Sequence, residues 1–354
     1  MSISLELSSK LSDTSFVSNA ISQILESDDI TKAHTVLSWL LEELPKLDTN
    51  RQLIYCQKVI PILLEHKQHF IKYICTLGQI GATLSYEGGD FSSAISFLKQ
   101  IPLDAVQDPK QKAFIVLSLA QLHLEDQDSG VCETLLKKWS STILGTRDRD
   151  LIIKYTGCIA RVYDANRNFL AASRSYIQLA KLDPSCSKEA VHSAIITTLL
   201  APAGPQRNSF VSLLYQNEES KHSHLHVLLE KAKRQFIFDA SDVDFLKSFL
   251  QPHHLATGSD GQTILDGAYR QHNMFVLSKI YTTVKISKLM NILNVDSEEK
   301  VLQIVETMIV EKRIEGSIDD FSGTLHLNNH DSQKRLNSTF ERVKNCTELI
   351  SKAQ

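Results

Sequence analysis

Three histidines at alternate positions, His222-Ser223-His224-Leu225-His226, come nearest to a metal-ligand pattern in this chain. Imidazoles two residues apart converge on one face of a strand, whereas a helix sets them about 200° apart. The flanking pattern over residues 218–238 is helical, so the rings should diverge. A zinc isopeptidase of the H-x-H type also needs a Ser and an Asp at fixed distances downstream. From His224-x-His226 those positions hold Arg234 and Ile237; from His222-x-His224 they hold Ala232 and Gln235. With neither a third ligand nor a general base, no hydrolytic site forms. The segment reads as the solvated start of a helix.

A second set, Pro252-His253-His254 with Asp260, Asp266 and His272, could be assembled into an acid–base site. The simpler account gives each residue a structural role. Ser259-Asp260 would cap a helix beginning near Gly261, and His272-Asn273 would sit at its end, where a histidine favours the dipole. The chain contains no G-x-x-x-x-G-K-[ST] or G-x-G-x-x-G phosphate loop and no G-x-S-x-G elbow. No catalytic, cofactor-binding or metal-ligating residues are assigned.

The elements around these residues are helical hairpins. Turn signals at Glu87-Gly88-Gly89-Asp90, at Asp126-Gln127-Asp128-Ser129-Gly130 and at Asn166-Arg167-Asn168 recur about 40 positions apart. Each lies between amphipathic stretches: Ile74, Leu77, Ile80 and Leu84 before the first, and Phe91, Ala94, Ile95 and Leu98 after it. Small residues at close-approach positions (Gly78, Gly81, Gly157, Ala160, Ala171, Ala172) predict stacked helix pairs, longer than the tetratricopeptide unit. The pattern extends back through Leu37, Leu40, Leu41 and Leu44, so the array should span about residues 15–200. Pro202, Gly204 and Pro205 break it, and further helices follow at 225–237 and 242–250.

After them the order changes. ISKLMNIL (286–293) is a short amphipathic helix, Asn294-Val295-Asp296 a turn, and 297–313 a longer helix carrying Val301, Ile304, Val305, Met308 and Ile309. Residues 315–319 and 324–327 then alternate as two strands around a turn. This is the order of a winged helix. DNA readout depends on neutralising phosphate, yet the candidate recognition helix and its lead-in carry Asp296, Glu298, Glu299, Glu306 and Glu311 against Lys300, Lys312 and Arg313. Such a surface favours protein over nucleic acid, and the wing offers a strand edge for pairing. A last amphipathic helix over 331–352 carries a narrow stripe of Leu336, Phe340, Val343 and Ile350. It either folds back on its own domain or joins a bundle with neighbours.

Bulk properties agree with a soluble intracellular protein. Hydrophobic residues make up 42% and charged residues 22%, and nothing in the net charge of −3 suggests a polyanion-binding protein or a basic tail. No run approaches the roughly 18 apolar residues of a membrane span. The opening MSISLELSSKLSD lacks the regions of a secretory signal. The six cysteines are scattered without a C-x-x-C pair, as in a reducing compartment.

Helical repeats feeding a winged helix resemble the PCI domain, shared by subunits of the proteasome lid, the COP-nine signalosome and translation initiation factor three. Residues 252–274, PHHLATGSDGQTILDGAYRQHNM, resemble more closely the signalosome's fourth-subunit family, in the pattern P-H-x-x-A-T-x-x-D-G-x-x-I-L-D-x-A-x-x-x-H-N. Pro252, His253, Ala256, Thr257, Asp260, Gly261, Ile264, Leu265, Asp266, Ala268, His272 and Asn273 meet every specified position. Gly316 to Leu327, Ala203-Gly204-x-Gln206-Arg207 and Cys158-x-Ala160-Arg161-Val162-x-Asp164 are similar too. The specific motifs cover about residues 155–330. The stretch before them agrees only in pattern, and the tail after His330 departs from the family.

The resemblance implies a mainly α fold. A right-handed, tetratricopeptide-like solenoid would occupy 1–200, the helical part of a PCI domain 201–285, its winged helix 286–328 and a C-terminal bundle helix 329–354. It implies a non-catalytic scaffold, cytoplasmic and nuclear, in a complex that removes the modifier Nedd-eight from cullins. The zinc isopeptidase would be another subunit. Other PCI subunits would meet Ile286, Leu289, Glu315, Ser317, Ile318, Thr324, Leu325 and Leu327, and the bundle would take Leu336, Phe340, Val343 and Ile350. The arm would sense the cullin–RING ligase. A proteasome-lid subunit shares this architecture. A nucleic-acid-binding PCI protein and an autonomous isopeptidase are the rivals of other classes.

Overall fold

The computed structural model describes residues 14–26, 30–257, 261–319 and 321–328. They group into two compact units, Met1–Val162 and Tyr163–Gln354. The helical array expected to reach residue 200 thus has its last hairpin in the second unit.

The first unit is built of helices α1 (Thr14–Glu26), α2 (Ile30–Glu43), α3 (Thr49–Glu65), α4 (Lys67–Glu87), α5 (Phe91–Lys99), α6 (Pro109–Glu125), α7 (Ser129–Gly145) and most of α8 (Arg149–Ala165). The closest packing is between sequence neighbours, α3 on α4, α4 on α5 and α6 on α7. The apolar stripes close into one core around Leu40, Ile60, Leu63, Phe70, Ile74 and Leu98. Gly78 and Gly81 let α4 approach its neighbours: a Cβ on Gly81 would lie 2.8 Å from the Phe97 ring, and one on Gly78 2.9 Å from Ile101.

The three turn signals make one repeated structure. Gly89, Gln127 and Arg167 all take the left-handed conformation (φ 79°, 62° and 61°). The next amide donates back five residues, Asp90 to Ser85 O, Asp128 to His123 O and Asn168 to Tyr163 O, at 2.8–2.9 Å. This is the Schellman closure of a helix. Asp90 and Asp128 then cap the following helix, accepting from Ser93 and Val131 N–H.

In the second unit, α9 (Phe169–Leu182) and α10 (Ser187–Leu200) form a hairpin. Helix α10 is buried on nearly every side, Ala194 to Leu200 without a break, as its lack of a polar face requires. Short helices α11 (Pro205–Tyr215), α12 (Glu218–Lys221), α13 (His226–Lys233) and α14 (Ala240–Lys247) lead through a 3₁₀ turn, Pro252–Leu255, to α15 (Ile264–Ile280). Helix α13 ends at Lys233, short of the expected 237, as Gln235 takes a left-handed φ, while the Asp239 capping box starts α14 at Ala240, ahead of the expected 242, and α14 ends at Lys247.

The winged helix follows: β1 (Thr283–Lys285), α16 (Ile286–Leu293), α17 (Glu298–Val310), β2 (Gly316–Asp319) and β3 (Thr324–Leu327). Helix α17 stops before the expected 313, since Lys312 turns left-handed and Arg313 N–H closes onto Met308 O. The sheet has a strand that the sequence pattern did not reveal. Its order is β1-β3-β2, antiparallel throughout, with Val284 opposite Leu325 and Ile318 opposite Leu325 on the other side. The expected C-terminal helix, with Leu336, Phe340, Val343 and Ile350, lies outside the described residues.

Candidate functional site

The histidine trio does not converge. His226 begins α13 and stacks on Tyr215 (centroids 5.1 Å apart, 13° between planes), while His222 and His224 are exposed on the preceding turn. Among the described residues one set of three potential ligand atoms lies within 4.8 Å, Asp164, His253 and His254. Its hydrogen bonding argues against a cation. Gln251 N–H donates to His254 Nδ1 at 3.2 Å, so the proton of the neutral ring is on Nε2, where it donates to Asp164 Oδ1 at 2.9 Å. The atom that would hold a metal already carries hydrogen. Burial alone would raise the Asp164 carboxyl, but nearby His253 and hydrogen-bonded His254 outweigh it and hold it below the ordinary range.

The acid–base reading of the second set fails on placement. Asp260 lies outside the described residues, and Asp266 forms a capping box with Thr263 at the start of α15. The cap expected at Ser259-Asp260 is therefore Thr263; Gly261, at φ 73°, precedes the helix in a left-handed turn. His272 is not at a helix end. It is buried in the middle of α15, which continues to Ile280.

There His272 belongs to a polar lock. Arg207 is 1% exposed, and its guanidinium donates to Thr198 O (2.9 Å), Leu199 O (3.1 Å) and His272 Nδ1 (3.0 Å). The two carbonyls belong to the last turn of α10, where the helix dipole supplies negative potential. His272 Nε2 faces Phe236 O at 2.9 Å, and its ring stacks on Phe238 at 4.0 Å. Burial, then the adjacent Arg207 cation, push the imidazole down to about 3; burial lowers the guanidinium to about 10. Asn273 accepts from Phe238 N–H and donates to Phe238 O, both at 2.9 Å. Arg313 donates to Ala203 O at 3.3 Å and to Gln271 Oε1 at 2.7 Å. The separate motif segments around Asp164, Ala203–Arg207 and Pro252–Asn273 thus meet one another inside the second unit. Sequence reasoning quoted these residues yet missed their pairing, which spans 65 positions for Arg207–His272 and 90 for Asp164–His254.

The winged helix divides its expected contact residues in two. Ile286, Leu289, Leu325 and Leu327 are 0–4% exposed and form the domain's own core with Val301, Val305 and Met308, so their side chains face inward. Glu315 and Ser317 are exposed, and Ile318 and Thr324 are half-buried. Strand β3 is central rather than an edge, and among the described residues the open edges belong to β1 and β2. Asn328 N–H donates to Glu315 O at 2.9 Å, so by antiparallel alternation Ser317 bonds inward while the main-chain groups of Gly316 and Ile318 point out. Gly316 is required: a Cβ there would collide with His326 O. Arg313 turns inward and pairs with Glu311 at 2.7 Å, which leaves Lys300 and Lys312 against exposed Asp296, Glu298, Glu299 and Glu306. Among the described residues no helix is long and apolar enough to cross a membrane.

A family model described as PSMD12/CSN4, N-terminal, matches residues 4–184, and a PCI domain model matches 245–329. The chain is 29% identical over 349 residues to the COP9 signalosome complex subunit 4 of Drosophila melanogaster, covering 96% of this chain and 84% of that one. For the Arabidopsis thaliana protein of that name the identity is 27% over 338 residues, with 86% and 84% covered. For that of Dictyostelium discoideum it is 32% over 262 residues, with 71% and 66% covered. With half its length matched by the family's N-terminal model and the PCI domain following, the chain belongs to the PSMD12/CSN4 family of PCI-domain proteins, where these relatives are subunit 4 of the COP9 signalosome.

Proposed function

We propose that the chain is a scaffold subunit of a COP9 signalosome that performs no chemistry itself. In this reading it supports removal of Nedd-eight from the cullins of cullin–RING ligases by a zinc isopeptidase in another subunit. The observation that carries the reading is similarity along nearly the whole chain to proteins named as that subunit. The structural roles of buried His254 and His272 and of the capping residue Asp266 support it, because these candidate acid–base residues are committed to the chain's own framework. Other PCI subunits would add to the open strand edge at Glu315, Ser317 and Ile318, with Thr324 beside it. Leu336, Phe340, Val343 and Ile350 would enter a helical bundle, and the arm would meet the ligase, in both cytoplasm and nucleus.

Purification of the tagged chain from its native cells tests this directly. Recovery of PCI subunits, an isopeptidase subunit and cullins is expected, with neddylated cullin accumulating on deletion. The family model also takes in PSMD12, so recovery of proteasome-lid subunits instead would move the protein to that second reading. Chelator-sensitive cleavage by the chain alone, or salt-sensitive nucleic-acid binding lost with Lys312→Glu, would overturn the scaffold reading.

A further inference from the structure

In the first unit, α4 and α6 leave a groove of about 230 Å³ between them, floored by Ala82, Leu98 and Leu122. Two aromatic rings stand at its walls, Tyr86 (44% exposed) and Phe114 (40% exposed), far more open than aromatic side chains in the unit's core. The volume suits one large aliphatic or aromatic side chain. Gln79 on α4 and Gln121 on α6 also line the groove, and their side-chain amides have no partner among the described residues. A primary amide offers both a donor and an acceptor, the pair that one residue of an extended main chain needs.

Charge identifies the rest of the occupant. Lys154 on α8 stands over the Phe114 ring, with Nζ 5.2 Å from its centroid. Two neighbouring cations are neutralised within the chain, Arg161 by Glu125 at 3.1 Å and Lys110 by Asp148 at 2.9 Å, and Lys112 lies over the Trp139 ring. Lys154 meets no carboxylate among the described residues. We propose that this groove docks an extended acidic peptide. One apolar side chain fills the cavity between Tyr86 and Phe114, main-chain groups bond Gln79 and Gln121, and an adjacent Asp or Glu pairs with Lys154. The site is separate from the winged-helix edge, so it stands whether or not the assembly reading holds.

The test pans a displayed random dodecapeptide library on the purified full chain and measures synthetic versions of the enriched peptides by fluorescence anisotropy. Enrichment of one large apolar residue with Asp or Glu within three positions is expected. Lys154→Glu should weaken such a peptide roughly fivefold or more and reduce its salt dependence, the scale of a reversed rim charge. Phe114→Ser should abolish binding, and Lys138→Glu, on the neighbouring α7, should leave it unchanged. Thermal melts matching wild type show that the variants fold. No enrichment, enrichment of basic or purely apolar peptides, or binding indifferent to Lys154→Glu would each overturn the proposal. So would self-association of the full chain in sedimentation that Phe114→Ser removes, which would make a second copy the occupant.

Discussion

Arg207 and His272, 65 residues apart, share a hydrogen bond of 3.0 Å in which the guanidinium must donate and the imidazole accept. A donor at Nδ1 and a carbonyl, Phe236 O, at Nε2 leave the ring one protonation state, neutral with its hydrogen on Nε2. The same guanidinium closes the end of α10. One side chain therefore ties three stretches of the second unit together. Arg207→Met would leave Thr198 O, Leu199 O and His272 Nδ1 without donors. The expected cost is about 3 kcal/mol, since each stranded buried group costs about 1 or more. Urea unfolding of the full chain measures it, and a change under about 0.5 kcal/mol would show the lock to be inessential.

The fixed tautomer makes stability depend on pH. His272 titrates at about 3 in the folded chain against 6.5 when unfolded. Above 6.5 both states are neutral and the group contributes no slope. Below it the unfolded chain takes up a proton that the folded chain refuses, so stability falls as pH drops from 6.5 toward 3. The slope approaches about 1.4 kcal/mol per pH unit within that window. Asp164, held below its ordinary range, adds loss in the same direction at the acid end. His272→Gln keeps an acceptor and a donor without titrating. Its unfolding free energy should run flatter than wild type between pH 6 and 4; parallel curves would contradict the account.

Asn273 makes a paired contact with the main chain of Phe238. Asn273→Asp keeps the size, removes the donor to Phe238 O and sets a carboxylate against that carbonyl at a site 1% exposed. A loss of about 3 kcal/mol is expected, largely as an unpaired buried charge. The variant should recover part of that loss at low pH, where the acid is neutral and can donate. Equal destabilisation at pH 7 and pH 4.5 would count against this.

The outward main-chain groups of Ile318 give a test of the wing edge. Proline there removes a donor that no strand among the described residues uses, an arrangement that edge strands tolerate. Ile318→Pro should cost roughly 1 kcal/mol in the isolated chain, through lost packing, yet sharply reduce co-purification of other PCI subunits. Undiminished recovery would remove the β2 edge from the proposed assembly.

The sequence made the helices legible where period and burial agree. Val301, Ile304, Val305 and Met308 mark the buried face of α17, and Gly89, Gln127 and Arg167 sit in the repeated turns the spacing predicted. Helix ends were less visible, because Thr263 and Lys312 act through local geometry rather than through any apolar pattern. Thr283-Val284-Lys285 was too short to show period two, so β3 passed for an edge when it is central. Leu289 and Leu325 were read as contact residues for the same reason: an apolar side chain beside an interface and one inside a small core look alike in sequence. The polar lock was hidden most completely. Arg207, His272 and Asn273 were quoted as motif residues, but a hydrogen bond between positions 207 and 272 has no periodicity to betray it.

The central place of β3 bears on how the protein is made. Strand β1 emerges from the ribosome about 40 residues ahead of the strand that must lie between it and β2. Until Thr324–Leu327 is synthesised, the sheet has no middle, and the core around Val284, Leu289 and Met308 lacks Leu325 and Leu327. The winged helix cannot close during translation of its own first half. Its nascent strands stay available to whatever main chain is nearby, and a message truncated before residue 324 should yield a first unit that folds and a second that invites chaperones.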